Sequence, residues 1–174
     1  MELTDLYFAY GGDMDRDRLR ALAGEVEVVA PACLVGYRMA FFGYDPIWDS
    51  GTETLVEDKQ SEIWGVLYRL RVFEWDRLDS IRGATLAGVG AYFHYPLEVT
   101  TAAGEAFMVR TYRIAEHGAP RLPSREYLAF LAASAQAHGV PSAYQEALRA
   151  LPSMPASYPV PRRDPAQRKR LHLL

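Results

Sequence analysis

Hydrophobic positions along the chain recur in short runs, most of them with the two-residue alternation of a strand, broken by glycine, proline and acidic turns. Leu6-Tyr-Phe-Ala-Tyr10 is an apolar, aromatic run that reads as a buried strand, and it stops at the adjacent glycines Gly11 and Gly12. Asp13 stands where a helix N-cap belongs, with Asp15 and Asp17 in the first turn. The helix is short, Asp15 to Leu22, with Leu19 and Leu22 on one face. Val26 to Val29 and Cys33 to Gly43 read as two strands, the second alternating through Tyr37, Met39 and Phe41. Asp45 to Ser50 is rich in turn formers, and Glu62 to Leu70 alternates like a half-buried strand. Val72 to Ile81 then predicts a helix with Phe73, Trp75, Leu78 and Ile81 as core positions, ending at Arg82-Gly83. Tyr92 to Thr101 and Ala106 to Ile114 are strands around the turn at Ala103-Gly104. Ser124 to His138 is a helix with Ser124 at its N-cap, and Pro141 to Leu151 is another. This mixture of elements predicts an α+β domain over residues 1–151. Residues 152–174 carry five prolines and the basic stretch Arg168-Lys-Arg170, and read as an extended tail.

The break after Tyr10 is where chemistry is expected. Strand, glycine loop and helix start expose backbone N–H groups, an arrangement suited to an anion or a developing oxyanion. A Gly-Gly pair can take positive φ angles and lets the backbone approach a ligand closely. The same residues also fit an ordinary strand-to-helix turn, and spacing alone does not separate the two.

Composition narrows the field. With 174 residues, 49% of them hydrophobic, the chain suffices for one good core and is short for two. A net charge of −3 lacks the basic excess that general nucleic-acid binding requires. Cys33 is the only cysteine, which excludes an internal disulfide and a cysteine zinc cluster, and its apolar surroundings suit inert packing. His94, His117, His138 and His172 lack metal-ligand spacing and read as surface or cap residues, so neither a metal nor another cofactor is expected. Met1-Glu-Leu-Thr-Asp shows no signal-peptide pattern, and no apolar run reaches the roughly 18 residues of a membrane span. The expectation is a cytoplasmic protein without membrane or nucleic-acid partners, monomeric or homodimeric.

Tyr7-Phe-Ala-Tyr-Gly-Gly-Asp-Met14 resembles the N-terminal signature of the γ-glutamylcyclotransferase-like (AIG2-like) family, Tyr-Phe-Ala-Tyr-Gly-Ser-Asn followed by Leu or Met. Ser61-Glu-Ile-Trp-Gly-Val-Leu-Tyr-Arg-Leu70 resembles its second characteristic strand, and Trp75-Asp-Arg-Leu-Asp-Ser-Ile-Arg-Gly83 its Leu-Asp-x-x-Glu-Gly segment. Pro123-Ser-Arg-Glu-Tyr127 and His138 to Leu148 resemble its C-terminal helices, all in family order. The resemblance implies a small mixed β-barrel flanked by helices. It implies a site that releases 5-oxoproline from γ-glutamyl amines or amino acids, with Tyr10, Gly11, Gly12, Asp13, Met14, Tyr92 and Tyr112 at the substrate.

The chain departs from the pattern at the catalytic position. The family's general acid/base is the Glu of Leu-Asp-x-x-Glu-Gly, and Arg82 stands there; Gly12-Asp13 replaces Ser-Asn. Cyclisation requires an α-amine to lose a proton, a γ-carbonyl oxygen to gain support and a leaving nitrogen to be protonated. One tuned carboxylate can move both protons, but a guanidinium stays protonated and cannot. Three explanations stand open. Cyclotransferase chemistry has been lost and the fold persists as a binding or structural module. Or the acid/base has moved, with Asp13 the first substitute and Asp79 and Glu98 behind it. Or the site now takes a different ligand, a small molecule bearing a carboxylate or phosphate clamped by Arg82. If the loop faces the Arg82 segment, Asp13 and Arg82 are also candidates for a salt bridge across the cleft.

Overall fold

The computed structural model describes residues 4–84 and 90–162, so Arg168-Lys-Arg170, His172 and the end of the tail lie outside the described residues. The elements run β1 (Thr4–Ala9), a 3-10 turn (Gly12–Met14), α1 (Arg16–Ala23), β2 (Glu27–Asp45), β3 (Ser50–Arg71), α2 (Val72–Arg82), β4 (Tyr92–Thr101), β5 (Ala106–Ile114), α3 (Arg125–Ala137) and α4 (Ser142–Arg149). The strands close a barrel in the order β1-β3-β2-β4-β5. Antiparallel pairing holds throughout except at the seam, where β1 meets β5 in parallel at Tyr7 and Arg110. This is the mixed barrel flanked by helices that the family resemblance implies.

The β2–β3 hairpin is where the structure corrects the sequence pattern. Val26 to Val29 and Cys33 to Gly43 are parts of one strand, β2, which runs through Ala30-Pro31. Proline interrupts a pattern of apolar alternation, yet here it sits beside a register shift between Val28 and Ala30, a place where a missing N–H is tolerated. Further shifts fall at Val35/Tyr37 and Phe42/Asp45, and Gly36 and Gly43, both with positive φ, supply the bulge conformation there. Strand β3 begins at Ser50 rather than Glu62. Its first half is polar and was therefore invisible to a hydrophobic period.

Two further expectations change. Asp15, not Asp13, caps α1, its side chain accepting from Arg18 N–H, because a 3-10 turn intervenes and carries Asp13 into the interior. On α2, Trp75 and Leu78 are buried as expected, but Phe73 and Ile81 face solvent. Glu74 takes an inward place instead, made tolerable by its bonds to the N–H and guanidinium of Arg71. Gly83 ends α2 in the left-handed conformation, as its position predicts.

Strand β1 is sheathed on both faces: Phe8 and Ala9 are fully buried, and Tyr7 and Tyr10 nearly so. The ring of Phe8 and the carbonyl of Ala9 come so close to Gly65 that a Cβ there would stand 2.4 Å from the Ala9 oxygen. Leu128, Leu131 and Ala135 of α3 close one side of the core, and Ser124 caps that helix as expected. Past α4 the chain turns back over the hairpin end. Ser157 donates to Asp49 Oδ2 and the Tyr158 hydroxyl to the Pro46 carbonyl, while Arg162 N–H reaches the Ile47 carbonyl. Among the described residues no helix is long and apolar enough to cross a membrane.

Candidate functional site

Strand β1 ends inside the barrel wall and delivers its loop to a narrow recess. Tyr7, Tyr10, Gly11, Asp13, Glu53, Arg82, Tyr92 and Tyr112 line it. Of the residues expected at the substrate, Tyr10, Gly11, Asp13, Tyr92 and Tyr112 therefore meet Arg82 in one place. Gly12 stands just behind, contributing its N–H, and Met14 does not reach the recess. The Met14 side chain is fully buried in the core, and its carbonyl accepts the Tyr68 hydroxyl at 2.8 Å. A larger hollow opens on the other side of Tyr92, among Phe42, Thr52, Ala91, Ile114 and Glu116. It holds no cluster of ionisable groups, so the chemistry concentrates in the smaller recess.

The glycines serve close approach rather than backbone freedom. Gly11 has φ −113°, and neither glycine has the positive φ that the sequence suggested. A Cβ on Gly11 would lie 2.0 Å from Glu53 Oε1, and one on Gly12 would lie 3.0 Å from the Tyr127 hydroxyl. Gly11→Val should therefore push the Glu53 carboxylate off the loop and leave the Gly12 N–H without its partner. The expected loss is about 1–3 kcal/mol in a denaturant titration. Trimming the clash with Glu53→Ala in the valine background should not deepen that loss. A large further loss would show that the strain lies in the backbone.

Arg82 is the last residue of α2 and points inward, its side chain only 19% exposed. Its guanidinium donates to Asp13 Oδ2, which also accepts the Tyr7 hydroxyl at 2.7 Å. Arg18 Nε stands 3.7 Å from the other oxygen. The guanidinium carbon lies 4.7 Å from the centre of the Tyr112 ring and 5.5 Å from that of Tyr92. Burial alone would raise the Asp13 carboxyl, but Arg82, Arg18 and the Tyr7 bond outweigh it and hold the group below its ordinary range. Burial works equally against charge on Arg82, and Asp13 reverses that, raising its pKa well above the usual value. Both partners are ionised, so Arg82 is fixed as a cation.

Glu53, from the polar half of β3, is the residue that sequence reasoning missed. Its Oε1 accepts from Gly12 N–H at 3.1 Å and from the Tyr127 hydroxyl at 2.8 Å, whereas Oε2 makes no hydrogen bond among the described residues. A signal existed: in Thr52-Glu-Thr-Leu55 the carboxylate is in phase with a fully buried leucine. Without a recognised strand at that point, the phase had no meaning.

The remaining candidates fall outside the cleft's working groups. Asp79 accepts the Tyr112 hydroxyl and stands 2.6 Å from His94 Nε2, so it positions the tyrosine from behind. His94 is thereby no surface residue: it lies between Asp79 and Arg110 and against Trp75. His138 caps α3 and His117 stacks on Phe42, both at the periphery, while Glu98 is exposed on β4. Burial, with Glu62 nearby, pushes the Cys33 thiol up to about 11, which leaves it protonated and unreactive at neutral pH.

Comparison with known proteins places this geometry in context. The model of the AIG2-like family matches residues 62–148. The chain is 28% identical over 153 residues to a gamma-glutamylcyclotransferase of Mus musculus, covering 85% of this chain and 79% of that protein. It is 26% identical over 155 residues to the Homo sapiens protein of the same name, covering 86% and 80%. In fold it is similar to a solved gamma-glutamyl cyclotransferase structure with TM-score 0.82 and 22% identity, over 99% of this chain and 100% of that one.

Proposed function

The chain belongs to the AIG2-like, γ-glutamylcyclotransferase-like family, and from that premise we propose that its recess binds a small amino-acid-type or other carboxylate-bearing molecule without cyclising γ-glutamyl amides in the family's standard way. The observation that supports this most directly is the commitment of both groups that cyclisation would need. Position 82 presents a guanidinium tied to Asp13 instead of a carboxylate. The loop donor Gly12 N–H, suited to a developing oxyanion, already holds the Glu53 carboxylate. An oxyanion arriving there would meet a resident negative charge rather than an open donor.

The test is an incubation with γ-glutamyl amino acids, γ-glutamyl-ε-lysine and glutathione, followed by chromatography for 5-oxoproline. Little or no product is expected, because loss of a general acid/base typically costs on the order of 10²–10⁴-fold. Robust turnover would overturn the proposal and favour the relocated acid/base. In that second reading Glu53 replaces Asp13 as the candidate, since both Asp13 oxygens face cations and Oδ2 also holds the Tyr7 hydroxyl, whereas Glu53 Oε2 is open. Glu53 would take the proton from the substrate's ammonium and pass it to the departing nitrogen. Turnover that vanished in Glu53→Gln would establish it.

A further inference from the structure

We propose that the larger hollow on the far side of Tyr92 is a second binding site, for an apolar amine: a hydrocarbon or aromatic body ended by a single ammonium. Among the described residues it shares only Tyr92 with the recess. Its volume of about 740 Å³ falls in the range of sites that take small organic molecules.

Hydrogen bonds and packing fix its walls. One wall comes from the paired ends of β4 and β5, where Tyr92 stands opposite Ile114 and the Ala115 N–H donates to the Ala91 carbonyl. Thr54 ties that wall to β3 by accepting from the Ile114 N–H at 3.1 Å, and Thr52 of the same strand lines the hollow. The opposite wall is Phe42 of β2. It is held by the bond from the Gly43 N–H to the Ala119 carbonyl and by the His117 ring stacked on it at 4.4 Å. Walls held this way are shaped before a ligand arrives, which lowers the ordering cost of binding.

Phe42, Tyr92 and Ile114 suit the body of such a ligand, and charge selects its end group. Glu116 is the only charged side chain among the described lining residues, and among the described residues no hydrogen bond or ion pair engages it. The field at Tyr92 has the same sign. Burial first, then Glu53 with Asp13 and Asp45, push the Tyr92 hydroxyl up to about 12, while Arg82 alone pulls it down. A carboxylate entering the hollow meets like charge, whereas an ammonium gains a partner. Because Glu116 is exposed, that ion pair is weak, so the apolar body carries most of the affinity and the charge decides between ligands.

Amide-resolved NMR titrations of the full chain with phenethylamine, phenethyl alcohol and hydrocinnamate test the site, since the three share one body and differ in charge. Shifts are expected at the amides of Ala91, Ile114, Ala115 and Gly118. Phenethylamine should bind roughly 3- to 5-fold more tightly than the alcohol, and hydrocinnamate most weakly. Added salt should erode the advantage of the amine and leave the alcohol unchanged. Glu116→Gln should bring amine and alcohol level. Ala115→Trp, a change at an exposed position, should fill the hollow and remove the shifts from both. Silence at these amides with all three compounds would overturn the proposal, as would hydrocinnamate binding as tightly as the amine. An undiminished preference for the amine in Glu116→Gln, or undiminished amine binding in Ala115→Trp, would overturn it equally.

Discussion

Asp13→Ala should destabilise the protein by about 3–5 kcal/mol, since it leaves the buried Arg82 guanidinium without its counter-charge. Arg82→Ala should cost a similar amount, because Asp13 is almost wholly buried and retains only the Tyr7 hydroxyl and the more distant Arg18. The double change Asp13→Ala/Arg82→Met should cost far less than the sum, as removing both charges also removes the desolvation penalty. Urea titrations of the four proteins measure the coupling, and additive losses would show that the pair is not a unit. The pH dependence has a defined sign. The folded carboxyl of Asp13 lies below its ordinary value of about 3.9. Its contribution is therefore complete above that pH and fades as pH falls through the folded value, while Arg82 stays charged. The stability gap between wild type and Asp13→Asn should hold from neutrality down to about pH 4 and narrow below it. A gap unchanged at pH 2 would contradict the assignment.

Restoring the family pattern with Arg82→Glu and Asp13→Asn should raise 5-oxoproline formation by roughly 10²–10⁴-fold over the parent, the usual worth of a placed acid/base. Glu53 complicates the outcome in a useful way. A new carboxylate at position 82 would share the recess with Glu53, and two like charges at close quarters cannot both ionise freely. Glu53→Ala in the restored background should therefore increase activity further and lower the pH at which the rate rises, since it removes the charge opposing ionisation of the new glutamate and frees the Gly12 N–H. Silence in the double and triple variants would mean that the recess has diverged beyond these positions. If Glu53→Ala instead destroyed a recovered activity, Glu53 would be the working base.

Alternation and turn residues set β4 and β5 to their observed bounds, because the second half of β4 alternates with a two-residue period and the turn at Ala103-Gly104 divides the strands. The glycine loop and Arg82 were legible as a candidate site through the family resemblance, and the contact of Arg82 with Asp13 could be argued from position. Features decided by distant neighbours were not legible. Pro31 breaks a pattern but not a strand whose bulge absorbs it. The polar start of β3 is strand because β2 pairs with it, from Tyr37 opposite Glu57 to Asp45 opposite Ser50, and not because of its own composition. Glu53 was missed for that reason, and the pairing of His94 with Asp79 because a side-chain network between α2 and β4 leaves no trace in spacing. Phe73 and Ile81 misled in the other direction: an apolar residue on a helix says little about which face is turned inward.

The segment that folds back over the hairpin end also constrains the order in which the molecule can be completed during synthesis. Strands β2 and β3 adjoin in sequence, so the hairpin can pair as soon as residue 71 is free of the ribosome. The Ser157 contact with Asp49 spans 108 residues and the Tyr158 contact with Pro46 spans 112. The turn at 46–49 therefore meets Arg121 and Ser124 first, and Ser157 and Tyr158 only later. The contacts from Ser157, Tyr158 and Arg162 are therefore the last of these that the turn can acquire, after every strand and helix described above has emerged.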